Sequence, residues 1–137
     1  GLDRASETGG QLLRQYMAME KAFYDAGGTL VLGTDPTGGG DVVPGYANQR
    51  AVQLLMEVGL TVEQAIEVAT KNGAEYLEQG DEIGTIEVGK RADLVLMRGD
   101  PGADPEALRA MTLVFKDGVG YDSAGLFDSV KGWVGVR

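Results

Sequence analysis

The chain has 137 residues, 43% hydrophobic and 24% charged, which suits one domain of ordinary size that can bury a core and excludes a compositionally disordered chain. Its net charge of −9 argues against nucleic acid and anionic membrane surfaces as partners, since both are held by clustered Lys and Arg. With no Cys and no His, disulfides, thiolate metal sites, Cys nucleophiles and imidazole ligands are excluded within these residues.

No apolar run is long enough to span a membrane. The opening GLDRASETGG carries no initiator Met and no signal-peptide pattern, so a processed or cut start is expected and compartment is left open. The first predicted element is an amphipathic helix over Gln11 to Ala26, with Leu12, Tyr16, Met19 and Phe23 at three- and four-residue spacing. Gly27-Gly28 stops it. Thr29 to Thr34 (TLVLGT) is a continuous apolar run of β-rich residues, which predicts a strand buried on both faces, as in a parallel sheet. Helix, Gly-Gly turn and buried strand together predict an α/β fold.

Beyond a glycine loop, Pro44-Gly45 leads into a helix over about Ala47 to Val58, with Ala47, Ala51, Leu54, Leu55 and Val58 on one face. Thr61 and Gln64 form a capping-box pattern that starts a third helix, expected to run to about Lys71. Asn72-Gly73 would take left-handed geometry at its end. From Gly80 the texture becomes β-rich, so the one domain boundary is set near Gln79 to Asp81, giving segments 1–79 and 80–137. Ala92 to Met97 predicts a strand. Asp104-Pro105 is an N-cap and first-position pair for a short helix over Glu106 to Ala110. MTLVFKDGVGYD predicts a hairpin turning at Asp117-Gly118. In the tail, Phe127, Val130, Trp133 and Val136 offer apolar surface for docking.

Asp35 stands just past the predicted strand Thr29 to Thr34. Reactive groups in α/β folds sit at the carboxyl ends of strands, and a carboxylate there is a candidate metal ligand or general base. Asp-Pro also initiates turns, and the local residues by themselves favour that plainer reading. Gly38-Gly39-Gly40 lacks the Lys and Ser/Thr of a Walker loop, and Asp35 and Asp41 flank it with the wrong sign for phosphate. Asp93, before Leu94-Val95-Leu96, is expected to hydrogen-bond structurally. Glu63, Glu67, Glu75 and Glu78 read as a solvated helix face. Tyr16, Phe23 and Tyr24 read as core, and Arg50 as a surface residue ahead of a contact to an anionic substrate.

Taken in order, GTD at a strand end, VPGYANQRAVQLLMEVGLTVEQAIEVATKNGAEYL and IGTIEVGKRADLVLMRGDP resemble the C-terminal part of the metal-dependent amidohydrolase superfamily, in the branch with imidazolonepropionase-like and prolidase-like enzymes. The most specific piece is IGTIEVGKRADLVL, Ile83 to Leu96. The resemblance implies a C-terminal fragment of a (β/α)8 barrel over 1–79, with Thr29 to Thr34 as its last strand. Over 80–137 it implies strands of a small composite β-sandwich. It implies hydrolysis of C–N bonds in small amide, cyclic amide or dipeptide-like substrates by a metal-activated water, with one or two divalent ions, often zinc. By motif position it assigns Asp35 as metal ligand and general base, and this shifts the weight from turn to site.

The family's other ligands, an H-x-H pair, a bridging Lys or Glu and later histidines, fall outside these residues. Where related sequences often have His-Arg-Glu, this one has Gln49-Arg50-Ala51. One strand cannot close a barrel, which needs roughly 200 residues or more. The isolated chain is therefore expected to be inactive, and to need either the missing N-terminal barrel or self-association to bury its apolar faces. The competing reading is a non-catalytic α/β module that oligomerises or binds a protein partner. A phosphate-binding module is a more distant third.

Overall fold

The computed structural model of the chain describes residues 2–36 and 42–133. Helix α1 (Leu2–Asp25) extends the predicted amphipathic helix toward the N-terminus. Gly27, at φ 88°, ends it in left-handed geometry, and its N–H and that of Gly28 close on the carbonyls of Tyr24 and Phe23 at 2.9 Å. The ring of Phe23 lies so close to Gly28 that a Cβ there would meet it at 2.3 Å. A side chain at position 28 would require the exposed Phe23 ring to swing away.

Residues 29–34 are extended but are not a strand, which corrects the expectation of a strand buried on both faces. A strand exists by pairing, and no neighbouring strand is offered to this run among the described residues. One face packs on helices: Leu30 and Leu32 lie against a core of Leu60, Ala65 and Val68. Val31 points the other way and is exposed. The run thus keeps the alternation of a half-buried strand without its hydrogen-bond ladder.

Helix α2 (Tyr46–Glu57) follows Gly45, whose φ of 83° turns the chain into it. Helix α3 (Val62–Ala69) starts with the predicted capping box. The Thr61 hydroxyl accepts from the Gln64 N–H, and the Gln64 side chain accepts from the Thr61 N–H. The expected single helix to Lys71 is broken at Thr70 (φ −130°), after which a short α4 (Lys71–Tyr76) begins. Asn72 and Gly73 therefore lie inside α4 and not at a left-handed helix end. Ala65 and Val68, wholly buried between α2, α3 and the extended run, are the centre of the core. Burial of a Val side chain contributes about 1.5–3 kcal/mol.

Residues 80–93 run irregularly across the end of α4. Lys90 ties this loop together: its Nζ donates to the Gly80 carbonyl at 2.6 Å and to the Thr85 hydroxyl. Strand β1 (Leu94–Met97), strand β2 (Met111–Lys116) and strand β3 (Val119–Asp122) form an antiparallel sheet in the order β1-β2-β3. Leu94 faces Phe115 and Leu96 faces Leu113, with an irregularity before Met97 pairs with Met111. The predicted hairpin is present. Lys116 pairs with Val119, and Asp117 and Gly118 both take positive φ (51° and 78°), as the tightest hairpin turn requires.

Between β1 and β2, Asp104 caps a turn of 3-10 helix, Pro105–Arg109, by accepting from the Glu106 N–H at 3.0 Å. The predicted cap and Pro are thus in place, on a 3-10 turn in place of an α-helix. Ala107 and Leu108 are buried beneath it. Helix α5 (Ser123–Ser129) closes the described chain, capped by Asp122 on the Gly125 N–H at 2.7 Å. Phe127 stacks obliquely on Tyr46, with ring centroids 5.3 Å apart, so the tail docks on the start of α2. Trp133 is exposed and Val136 lies outside the described residues. Among the described residues no helix is long and apolar enough to cross a membrane.

Candidate functional site

The extended run delivers Asp35 to the surface. Its middle is held to α3 by the Leu32 N–H on the Val68 carbonyl, at 3.4 Å. Its start is held to α4, where the Asn72 side-chain amide donates to the Leu30 carbonyl at 2.9 Å. Its end is held to α2, where the Thr34 hydroxyl donates to the Asn48 side-chain oxygen at 3.2 Å. Asp35 then takes a left-handed backbone conformation, φ 41°, and is exposed. Asp is one of the few residues that tolerates this geometry, because its short polar side chain bonds locally. Gly38-Gly39-Gly40 and Asp41 lie outside the described residues.

Beside Asp35, Pro36 forms one end of a groove of 2030 Å³ between the helices α2 to α4 and the C-terminal sheet with α5. Val52, Ile66, Leu108, Met111 and Phe127 make its lining largely apolar. Gln49 lines the groove as well. Its amide nitrogen lies 3.8 Å from the Met111 sulfur.

The other charged candidates are engaged structurally. Arg50 grips Glu57 about two turns along α2 through both terminal guanidinium nitrogens, the second contact at 3.2 Å. The hydrogen bond that Arg50 donates to Glu57 holds the Arg50 pKa above its ordinary value, and the same bond holds the Glu57 carboxyl below its own. That leaves Arg50 in the surface role expected of it. Glu67 pairs with Lys71 at 2.8 Å along the α3–α4 face. Glu63 is held below the usual carboxylate range by its own backbone N–H and the Thr61 hydroxyl. Glu75 and Glu78 are exposed. Asp93 accepts from the Asp117 N–H at 2.8 Å and from Lys116 Nζ at 2.6 Å, which is the structural role expected.

Among the described residues no three His, Cys, Asp or Glu gather in a way that could hold a metal ion. Asp35 offers one carboxylate, an oxygen donor suited to a divalent ion, whereas a catalytic zinc takes three protein ligands. The chain therefore fits such an ion as the source of one ligand and does not make the site alone. The sequence pointed to Asp35 but not to Asn48 and Asn72, which hold the run that carries it. Asn72 was hidden because Asn-Gly is also a helix-end signal.

Residues 10–122 match the model of the Amidohydrolase family, and the chain belongs to that family. An imidazolonepropionase of Porphyromonas gingivalis is 36% identical over 91 residues, which is 63% of this chain and 20% of that protein. One from Geobacillus sp. is 37% identical over 84 residues, 58% of this chain and 18% of that protein. Among solved structures, a Xaa-Pro dipeptidase with methionine bound in its active site superposes with a TM-score of 0.68 at 31% identity, over 80% of this chain and 25% of that one. A structure described as a "putative prolidase from Bifidobacterium longum" gives a TM-score of 0.64 at 30% identity, over 80% and 29%. The chain thus spans about a fifth of the length of the curated relatives it matches. Its α/β fold with a small antiparallel sheet is that of the matching part of amidohydrolase structures.

Proposed function

We propose that this chain is the C-terminal portion of a metal-dependent hydrolase of C–N bonds, in which Asp35 is one ligand of a divalent ion and the general base. Residues 1–79 would complete a (β/α)8 barrel, and residues 80–137 would contribute to a small β-sandwich beside it. The observation that carries the reading is the position of Asp35. It is an exposed carboxylate at the end of an extended run packed on helices, within residues that match the family. The matching enzymes named above, imidazolonepropionases and dipeptidases, favour a small cyclic amide or dipeptide-like substrate.

A divalent ion bound there would lower the pKa of water and polarise the scissile carbonyl. The part of Asp35 would be to take up a proton from the attacking water on its carboxylate and return it to the leaving nitrogen. The clamped run fixes where the carboxylate stands, and the groove beside Pro36 leaves room for substrate. The remaining ligands come from further polypeptide. The exposed apolar stripe of α1 (Leu12, Tyr16, Met19, Phe23) supports this, because contiguous apolar surface of that kind marks an interface.

The experiment is to read the gene upstream of the Gly1 codon and express the whole frame. A frame long enough for the rest of a barrel, roughly 200 residues or more, and carrying an H-x-H pair should yield a chelator-sensitive hydrolase. A stop codon close upstream would defeat this reading and leave the apolar stripe to a self-associating or partner-binding module.

A further inference from the structure

Resting on the assignment of Asp35 above, we propose that Asn72 and Asn48 are positioning residues for that carboxylate, clamping the two ends of the run that carries it.

The run from Leu30 to Thr34 has few ties of its own. Its one backbone hydrogen bond to the helices among the described residues, Leu32 N–H to the Val68 carbonyl, is long at 3.4 Å. Apolar contact of Leu30 and Leu32 with Leu60, Ala65 and Val68 supplies attraction but little direction, since burial is non-directional. The two side-chain hydrogen bonds supply direction on the helix side of the run, whatever neighbours further polypeptide places along its edges. Asn72 Nδ2 holds the Leu30 carbonyl at 2.9 Å, and the Asn48 oxygen holds the Thr34 hydroxyl at 3.2 Å. One bond is made from α4 and the other from the first turn of α2. One fixes the entry to the run, and the other fixes the residue immediately before Asp35.

The break at Thr70 gains a purpose in this arrangement. Had α3 run on unbroken, residue 72 would have followed the direction of α3. The turn at Thr70, φ −130°, starts α4 afresh and sets Asn72 against Leu30. The chemistry at position 72 is also selective. The Leu30 carbonyl needs a donor, which Asn supplies, whereas Asp at neutral pH presents only acceptors and Ala presents nothing. At the other end the Thr34 hydroxyl is the donor, and its partner must accept. For Asp35 to serve as ligand and base, its carboxylate must hold position to a fraction of an ångström, because a 1 Å misplacement can cost about a hundredfold in rate.

The test is a double-mutant cycle in the enzyme expressed from the whole reading frame. Asn72→Ala is made with Asp35 intact and in an Asp35→Asn background. Thr34→Val, which keeps the branched shape and removes the hydroxyl, is made alongside. Each protein is assayed for kcat and KM, for divalent-ion affinity by chelator competition, and for thermal midpoint. With Asp35 present, Asn72→Ala is expected to lower kcat and ion affinity about tenfold or more, with KM changed by less than about threefold, as for residues that support a metal ligand. With Asp35→Asn in place the further loss should vanish, because a residue that acts through Asp35 has nothing left to position.

Equal fold-losses in both backgrounds, no loss in either, or a change confined to the thermal midpoint would overturn the proposal. If Asn72→Ala does not fold, Thr34→Val carries the same cycle at the other clamp. If Asp35→Asn alone leaves rate and ion affinity untouched, the assignment of Asp35 is what fails. If Asp35→Asn lowers both to a measurable remainder and the clamp variants lower that remainder by the same factor as in the parent, only the positioning roles fail.

Discussion

The carboxylate of Asp93 accepts a hydrogen bond from the backbone N–H of Asp117, 2.8 Å away, across 24 positions of sequence. Lys116 adds a second donor at 2.6 Å, and the Gly118 N–H bonds the Ala92 carbonyl at 3.1 Å. The start of β1 is thus locked to the tip of the β2–β3 hairpin. The Asp117 N–H first and Lys116 second hold the Asp93 carboxyl below the usual range.

A pH dependence follows from that lock. Because the folded-state pKa is depressed, the stabilisation is complete above the ordinary Asp value of about 3.9 and is lost as pH falls through the lower folded value. Hydrogen exchange at the Asp117 amide should be protected at neutral pH and lose protection only below about pH 4. Asp93→Ala should lose that protection at every pH. Protection that survives in the variant would remove the lock from the account.

Thr61 and Gln64 cap α3 reciprocally, at 3.3 Å and 2.9 Å. Thr61→Ala leaves the Gln64 N–H of the first turn without its partner and should cost about 1 kcal/mol in chemical denaturation. An unchanged midpoint would mean that water serves the first turn equally well.

Gln53 is 3% exposed and joins α2 to the 3-10 turn. Its amide nitrogen donates to the Pro105 carbonyl at 3.1 Å and to Glu106 at 3.0 Å, and its oxygen accepts from Arg109 at 3.3 Å. Gln53→Leu should cost about 1–3 kcal/mol by stranding those groups. Gln53→Glu should cost more at neutral pH, since it faces a carbonyl and a second carboxylate. A Glu variant as stable as the parent would contradict the hydrogen-bond assignment.

Two glycines in the loop before β1 separate strain from crowding. Both have positive φ, 93° at Gly84 and 98° at Gly89. A Cβ at Gly84 would stand 2.5 Å from the Ala74 Cβ and 3.1 Å from the Lys71 Cα, whereas at Gly89 it would meet nothing within 4 Å. Gly89→Ala should therefore cost only the backbone term, about 1–2 kcal/mol. Gly84→Ala should cost about 1–3 kcal/mol beyond that for overpacking. Equal losses in thermal denaturation would show that α4 yields to the extra methyl.

What was legible in the sequence was set by local chemistry. The Thr61–Gln64 box, the Asp104-Pro105 cap and the Asp117-Gly118 turn are each fixed by residues within a few positions of one another, and each is found where expected. Thr29 to Thr34 reads as a strand but is unpaired among the described residues, because pairing depends on a second segment that they do not supply. The break at Thr70 was missed because Ile66 to Tyr76 contains no proline to announce it, and Asn72-Gly73 offered a familiar stop two residues later. For the same reason Asp35 could be placed at the end of its run, while Asn72, which holds the other end, could not. Its partner Leu30 lies 42 positions away and carries no motif.

The central claim is that Asp35 is a ligand and base of a C–N hydrolase completed by further polypeptide. The most direct measurement is steady-state hydrolysis of a dipeptide and a cyclic amide by the whole-frame protein, with and without a chelator, beside its Asp35→Asn variant. The account predicts chelator-sensitive activity in the parent. It also predicts a kcat lower by at least about a hundredfold in the variant, the scale on which a general base contributes. A variant as active as its parent, or a folded whole-frame protein whose hydrolysis ignores the chelator, would contradict it.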